Sequence, residues 1–155
     1  MDFVLDSNAF DSLVAHPRAE LLATERHDAG RDRFLVTHVQ RDELSRTSDL
    51  VRRAKLLALL DHFETIPTHG FVWDVSKWDN ARWADEGDGE AFKSEGAEDM
   101  LIAFTAQCQG AVLVTDDVGL TKKAHGEGLS VWANEALASY LVNQASAGDA
   151  GQTPD

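Results

Sequence analysis

Acidic side chains directly follow two of the most apolar segments of the sequence. Asp6 comes after the run 3–5, and Asp116 and Asp117 come after the run 111–115. Short apolar runs that end in polar residues are typical of buried strands in a parallel sheet. Ligand crevices in open parallel sheets lie at the carboxyl ends of the strands, so we expect these acids to share one crevice.

Two further acids are expected at the same edge because of the helices that carry them. Asp99, Ile102, Ala103 and Ala106 follow the spacing i, i+3, i+4 and i+7, which places Asp99 on an otherwise apolar helical face. Glu43 lies about one turn into the helix that follows the second predicted strand. Both carboxylates are therefore predicted to point inward.

Converging carboxylates need a partner, because buried unpaired charge is costly and like charges raise one another's pKa. Mg²⁺ or Mn²⁺ would relieve this repulsion, since both prefer carboxylate oxygen and water. Two such ions ~3.5–4 Å apart activate a water and stabilise the leaving oxygen of a phosphodiester.

Each acid also has a purely structural interpretation. Asp6 would serve as a turn or cap residue, Glu43 and Asp99 as solvated helix acids, and one of Asp116 and Asp117 as a helix cap.

Buried strands that alternate with helices predict an α/β fold, with a parallel sheet covered on both faces. The predicted strands are 3–5, 34–37, 65–66, 111–115 and 129–132, and the predicted helices are 9–14, 18–28, 39–45, 49–63, 97–108, 118–125 and 134–142, the last capped by Asn134. In the segment 70–96 we expect a helix at 75–84 and an acidic loop. One domain is predicted over 1–142, with a disordered tail at 143–155.

Composition narrows the class of protein. The 155 residues carry 27 Asp and Glu against 14 Lys and Arg, for a net charge of −13. This charge argues against a protein that holds nucleic acid by a basic surface, but not against an enzyme that brings its own cations. Cys108 is the single cysteine, which excludes an internal disulfide and fits a reducing cytoplasm. No signal peptide or membrane-spanning run is visible in the sequence.

Four short segments together resemble a PIN domain, and within that group a VapC-type toxin ribonuclease. Each motif is short, and their order and spacing carry the resemblance. The segments are Phe3-Val4-Leu5-Asp6-Ser7-Asn8, Thr37-His38-Val39-Gln40-Arg41-Asp42-Glu43-Leu44, Glu98-Asp99-Met100-Leu101-Ile102-Ala103 and Leu113-Val114-Thr115-Asp116-Asp117-Val118-Gly119-Leu120.

The resemblance implies a three-layer α/β/α sandwich with a central, mainly parallel sheet of four or five strands, and a cytoplasmic endoribonuclease that uses Mg²⁺ or Mn²⁺. It implies metal-binding and catalytic roles for Asp6, Glu43, Asp99 and Asp117. It also implies an RNA substrate, a homodimer and a cognate antitoxin. Asp116 is a further candidate ligand, and two polar residues are expected to line the site, Asn8 and Thr115.

Two alternatives stay open at this stage. One is a catalytically silent PIN-like binding module in RNA processing, and the other is a structure-specific DNA nuclease. The candidate substrate-binding residues are three basic side chains near the predicted site, Arg41, Arg46 and Lys122.

Overall fold

The order of helices and strands follows the predicted alternation closely. The computed structural model describes residues 1–69, 81–82 and 97–150, with backbone only for 81–82, 97, 149 and 150. Along the described chain the elements are β1 (Asp2–Leu5), α1 (Ser7–Ala15), α2 (Pro17–Asp28), β2 (Arg33–Val36), α3 (His38–Ser45), α4 (Leu50–His62), β3 (Glu64–Thr65), β4 (Thr68–His69), β5 (Ala81–Arg82), α5 (Ala97–Gln109), β6 (Val112–Val114), α6 (Val118–Gly126), β7 (Val131–Trp132) and α7 (Asn134–Ala150).

Five strands form one parallel sheet in the order β3-β2-β1-β6-β7. The chain moves outward from β1 through β2 to β3 and then returns to the other side of β1 with β6. The point of reversal therefore lies between β1 and β6, and it is there that open α/β sheets place their ligand crevice. A separate pair, β4 and β5, is also parallel.

Alternate residues of the central strands supply the two cores. Phe3 and Leu5 face the core formed with α1, α2, α4 and α7, whereas Val4 faces the core formed with α5 and α6. All three side chains are fully buried. Such two-sided burial explains why the strands are continuous apolar runs and not alternating ones. The predicted three-layer α/β/α architecture is confirmed.

Two sequence-based predictions need correction. Residues 143–150 continue α7 as a helix instead of starting a disordered tail, and residues 151–155 lie outside the described part. Residues 81–82 form β5, where the sequence suggested a helix at 75–84. The rest of that proposed helix and the acidic loop lie outside the described residues. Within the part of the chain that is described, no helix is long and apolar enough to cross a membrane.

Gln40 fixes α3 to the end of β1. Its side chain is fully buried, its Nε2 donates to the Leu5 carbonyl at 2.9 Å, and its Oε1 accepts from the Thr37 backbone N–H at 2.9 Å. The Thr37 hydroxyl in turn accepts from the Val39 N–H, which completes a capping box at the start of α3. The position of Glu43, one turn further along α3, therefore depends on Gln40.

Replacing Gln40 by Leu is expected to destabilise the protein, because the buried Leu5 carbonyl and Thr37 N–H would both lose their partner. Each unsatisfied group costs about 1–3 kcal/mol. Urea denaturation measures the change. Arg41→Leu is the control, since it removes only the exposed ion pair with Asp61, worth about 1 kcal/mol at most. Equal losses in the two variants would contradict this role for Gln40.

Candidate active site

Asp6 occupies the centre of the crevice, directly after β1. Its side chain is buried, with 5% of the residue exposed. One carboxylate oxygen accepts from the Ser7 N–H at 2.8 Å, and the other accepts from the Thr115 hydroxyl at 2.6 Å and from the Asn8 amide at 3.1 Å. The structure thus brings both predicted lining residues, Asn8 and Thr115, onto Asp6.

Burial raises the pKa of Asp6, and the negative charge of Asp117 raises it further, while the hydrogen bonds from Thr115, Ser7 and Asn8 lower it. The net shift is upward. Three hydrogen bonds therefore hold the orientation of this carboxylate but do not fully offset the cost of placing a charge there.

Asp117 lies on the opposite side of the same crevice, after β6. It is the N-cap of α6, where its Oδ1 accepts from the Leu120 N–H at 2.8 Å. Its own N–H donates to the Thr115 hydroxyl at 3.1 Å. Thr115 therefore connects the two acids. Capping uses one carboxylate oxygen of Asp117, so its role as a helix cap is compatible with the predicted role as a metal ligand.

Asp116 belongs to a different contact, at the start of α7. Its Oδ1 accepts from the Asn134 N–H at 2.8 Å, and its own N–H donates to Asn8 Oδ1 at 3.3 Å. The predicted cap, Asn134, instead donates its side-chain amide to the backbone carbonyl and the Oδ1 of Asn8, each at 3.2 Å. The cap prediction for Asn134 is therefore wrong, and Asp116 takes a structural role that its sequence position did not reveal.

Glu43 approaches the crevice from α3, and the Ser7 hydroxyl donates to its Oε2. Its pKa is raised to about 7, first by burial and then by a hydrogen bond to Glu98 and by the charges of Asp6 and Glu98, against the lowering effect of Ser7. Glu43 therefore holds a proton to a higher pH than an exposed glutamate does.

Glu98, which the sequence analysis did not single out as a site residue, is the acid of α5 that faces Glu43. Both terminal nitrogens of Arg46 donate to its Oε1 at 3.3 Å. The predicted residue, Asp99, is half-buried in the same first turn of α5. Its role as a metal ligand stays a prediction. The only hint of Glu98 in the sequence was its place directly before Asp99.

The acids of the crevice suit a divalent cation by their chemistry. All the candidate donors are carboxylate oxygens, and Asp6 and Glu43 both have a raised pKa. Among residues 1–69, 81–82 and 97–150, however, no group of three or more His, Cys, Asp or Glu side chains is close enough to hold a metal ion. An ion held by three or more of these side chains would therefore require them to move closer together, whereas an ion held by one or two carboxylates would take its other ligands from water.

Two of the three candidate substrate-binding residues form ion pairs with acidic side chains. Arg41 pairs with Asp61, and Arg46 pairs with Glu98. Lys122 is exposed on α6. The structure therefore gives no support to Arg41 and Arg46 as free cations for a substrate.

Comparison with known proteins gives matches of structure but not of sequence. No protein-family model matches the chain. No curated protein matches it either. PAE2754 from Pyrobaculum aerophilum has a similar structure, with a TM-score of 0.59 and 19% identity, over 92% of this chain and 99% of that chain. VapBC-1 from nontypeable Haemophilus influenzae gives a TM-score of 0.52 and 18% identity, over 87% of this chain and 99% of that one. At these identities the two likenesses show a shared fold, which agrees with the α/β/α fold that the resemblance implied.

The raised pKa of Glu43 predicts a pH-dependent stability in the absence of divalent ions. The folded state holds a proton on Glu43 up to about pH 7, whereas the ordinary value is 4.5, so the folded protein binds more protons between these values. Stability should therefore fall as the pH rises through this window, and the Glu43→Gln variant should lose less stability over it. Urea midpoints at both ends of the window, in EDTA, measure the difference.

The control for the loss of one negative charge is Glu127→Gln, which removes an exposed carboxylate outside the crevice. It should reproduce the pH profile of the wild type. Parallel profiles for the wild type and Glu43→Gln would mean that folding does not raise the pKa of Glu43.

Proposed function

We propose that this chain is a Mg²⁺- or Mn²⁺-dependent endoribonuclease that acts in the cytoplasm as the toxin of a VapBC-type toxin–antitoxin pair. One observation carries the proposal: acids from three separate segments, Asp6, Glu43 and Asp117, are linked at the reversal point of the sheet through shared hydrogen-bond partners. Ser7 donates to both Asp6 and Glu43, and the Thr115 hydroxyl joins Asp6 to the backbone of Asp117. The similar fold of VapBC-1 from Haemophilus influenzae supports the assignment.

Asp6, Asp117 and Glu43 are the residues that would hold the ion, with Asp99 and Asp116 as further candidates. When bound, the ion supplies Lewis acidity, which makes water a better nucleophile and offsets charge on the phosphate. The roles of the neighbouring residues follow from their contacts. Asn8 and Thr115 hold the Asp6 carboxylate in one orientation, and Ser7 does the same for Glu43.

Glu43 would either complete the ion site or position the attacking water. In both roles the Ser7 hydroxyl holds one of its carboxylate oxygens at the crevice. A Glu43 that binds the ion would stay charged, so its pKa of about 7 describes the ion-free protein alone.

We also propose a homodimer and a cognate antitoxin as assembly partners. The chain carries a net charge of −13, and several of its acids line the crevice, so a basic segment of the antitoxin would complement that surface. The similar fold of VapBC-1 from Haemophilus influenzae supports a VapBC-type pair.

Asp6→Asn is expected to reduce RNA cleavage by more than about 100-fold, a larger effect than the loss of an outer hydrogen-bond partner of a metal ligand. The substitution keeps the size of the side chain but removes a charge and an acceptor. Cleavage of a labelled single-stranded RNA in Mg²⁺ and in Mn²⁺ measures the effect, and EDTA should abolish the wild-type activity. Asp61→Asn is the control, because Asp61 is an exposed acid that pairs with Arg41.

Other outcomes of the same assay would contradict the proposal in distinct ways. Cleavage that survives both EDTA and Asp6→Asn would refute the metal-dependent mechanism. A flap DNA cut faster than RNA would favour a structure-specific DNA nuclease. RNA that is bound but never cut, with either metal, would favour a silent binding module.

If an antitoxin exists, its gene is expected as a small open reading frame immediately upstream, with an N-terminal DNA-binding pattern. Its product should bind this chain, and the complex should dissociate at high salt if a basic segment occupies the crevice. A pull-down of the co-expressed pair at low and high salt tests both points. Retention that is independent of salt would show that charge does not hold the complex together.

A further inference from the structure

Asn134 is the first residue of α7, and its side chain contacts Asn8 at the edge of the candidate active site. Its Nδ2 donates to the backbone carbonyl oxygen and to the Oδ1 of Asn8, each at 3.2 Å. Only 6% of Asn134 is exposed. Its own Oδ1 is buried and has no hydrogen-bond partner within the part of the chain that the structure describes. A buried acceptor without a partner is unfavourable, so the placement of this side chain calls for an explanation.

The neighbours of Asn134 determine which way its amide group faces. Turning the amide over would place its Oδ1 against the two oxygens of Asn8, and three acceptors cannot hydrogen-bond to one another. The Nδ2 group therefore faces Asn8. The backbone N–H of Asn134 forms a separate hydrogen bond to Asp116 Oδ1 at 2.8 Å, which does not depend on the side chain at position 134. The start of α7 and the contact to Asn8 are thus held by different atoms of one residue.

The amide group of Asn8 is oriented from both of its ends. Its Oδ1 accepts from Asn134 Nδ2 at 3.2 Å and from the Asp116 N–H at 3.3 Å. Its Nδ2 donates to Asp6 Oδ2 at 3.1 Å and to Thr115 Oγ1 at 3.3 Å. Turning this amide over would place its oxygen against the Asp6 carboxylate and its nitrogen against two donors. The two donors on its Oδ1 therefore help to hold the amide nitrogen of Asn8 on Asp6.

The Thr115 hydroxyl, the other side-chain donor to Asp6, already uses its full hydrogen-bonding capacity. It donates its proton to Asp6 Oδ2 at 2.6 Å, and its oxygen accepts from the Asp117 N–H at 3.1 Å and from Asn8 Nδ2 at 3.3 Å. A hydroxyl group has one proton to donate and two lone pairs, so Thr115 cannot replace a lost contact between Asn8 and Asp6. The orientation of the Asp6 carboxylate therefore depends on Asn8 as well as on Thr115.

We propose that Asn134 is a positioning residue of the candidate active site, which acts through Asn8 to hold the Asp6 carboxylate in the orientation that binds a divalent ion. The inference rests on the proposed function, because it assumes that Asp6 holds the ion. Residues that orient a metal ligand from outside change metal affinity by about 10–100-fold when they are removed. Helix α7 thereby contributes to the site although none of its residues is a candidate ligand.

A double-mutant cycle on Mn²⁺ affinity tests the route through Asn8. Asn134→Leu keeps the approximate size of the side chain and removes its donor. Calorimetric titration of the full chain with Mn²⁺, after EDTA treatment and removal of the EDTA, should show affinity weakened by about tenfold, the lower end of the range for such partners. Asn8→Ala should weaken it at least as much. In the Asn8→Ala background, Asn134→Leu should have no further effect, because the two residues act in series.

RNA cleavage at two Mn²⁺ concentrations gives a second measurement. Because only the hold on the ion is weakened, Asn134→Leu should cleave about tenfold more slowly at limiting Mn²⁺ and approach the wild-type rate at saturating Mn²⁺. A purely structural role would lower the rate to the same extent at both concentrations. The matched control is Asn143→Leu, the same substitution at an exposed position of α7, which should change neither the affinity nor the rate.

The possible failures are distinguishable. Wild-type Mn²⁺ affinity in Asn134→Leu, an equal loss in Asn143→Leu, or additive losses in the cycle would each overturn the positioning role and leave the proposed function standing. A wild-type protein that does not bind Mn²⁺ refutes both. One that binds Mn²⁺ but cuts no RNA contradicts the function alone, since the affinity cycle still tests Asn134. If thermal unfolding shows that Asn134→Leu does not fold, Asn134→Ala takes its place, because it introduces no larger group beside Asn8.

Discussion

The buried carboxylate of Asp6 is the constraint on which the arrangement of the crevice depends. A charge at the junction of β1 and β6 is costly unless hydrogen bonds surround it, and the donors come from both strand ends. Thr115 brings the end of β6 to Asp6, and Asn8 brings the start of α1. Asn8 is in turn held by Asn134. A single buried acid thus ties together two strands and two helices, α1 and α7.

The pairing of charges reduces the repulsion within so acidic a chain. Four described arginines pair with carboxylates at the surface, where each pair contributes little to stability but neutralises local charge. Arg18, Arg31 and Arg53 form no ion pair with the described residues, so the unpaired arginine charge is spread over α2, its following turn and α4. An ion in the crevice would offset part of the negative charge that a phosphate group would meet there. A high net negative charge therefore does not by itself exclude a nucleic-acid substrate.

The sequence was sufficient for the fold because its signals were local. The apolar runs and their polar ends marked the strands, and Asp49, Asp117 and Thr37 act as helix caps that fix helix starts. The choice between Glu98 and Asp99 could not be made in this way. Residues 100–106 are buried on every side of α5, so an apolar stripe does not define a single inward face. One residue of phase rotates a side chain by about 100°.

Two other features depend on contacts that composition does not reveal. The stretch 143–150 has the Ala, Ser and Gly content of a tail, yet α7 continues through it alongside α2, where Gln144 and Ala145 line a cavity together with Arg26. Packing against a neighbouring helix therefore overrides a weak local preference. Asp116 likewise serves α7, which begins 18 residues later in the chain. Pattern analysis finds acids at a strand end but does not reveal which of them meets a distant helix.

The Glu43–Glu98 contact links protonation to metal binding through simple electrostatics. While Glu43 is protonated it tolerates the proximity of Glu98, and when Glu43 is charged the Glu98 charge repels it. A divalent ion bound to Glu43 would favour the charged form and displace the proton, so ion binding and proton release are coupled. Arg46 forms the ion pair with Glu98 on the other side of this contact. Arg46 is therefore better understood as a partner of this acidic pair than as a contact for substrate.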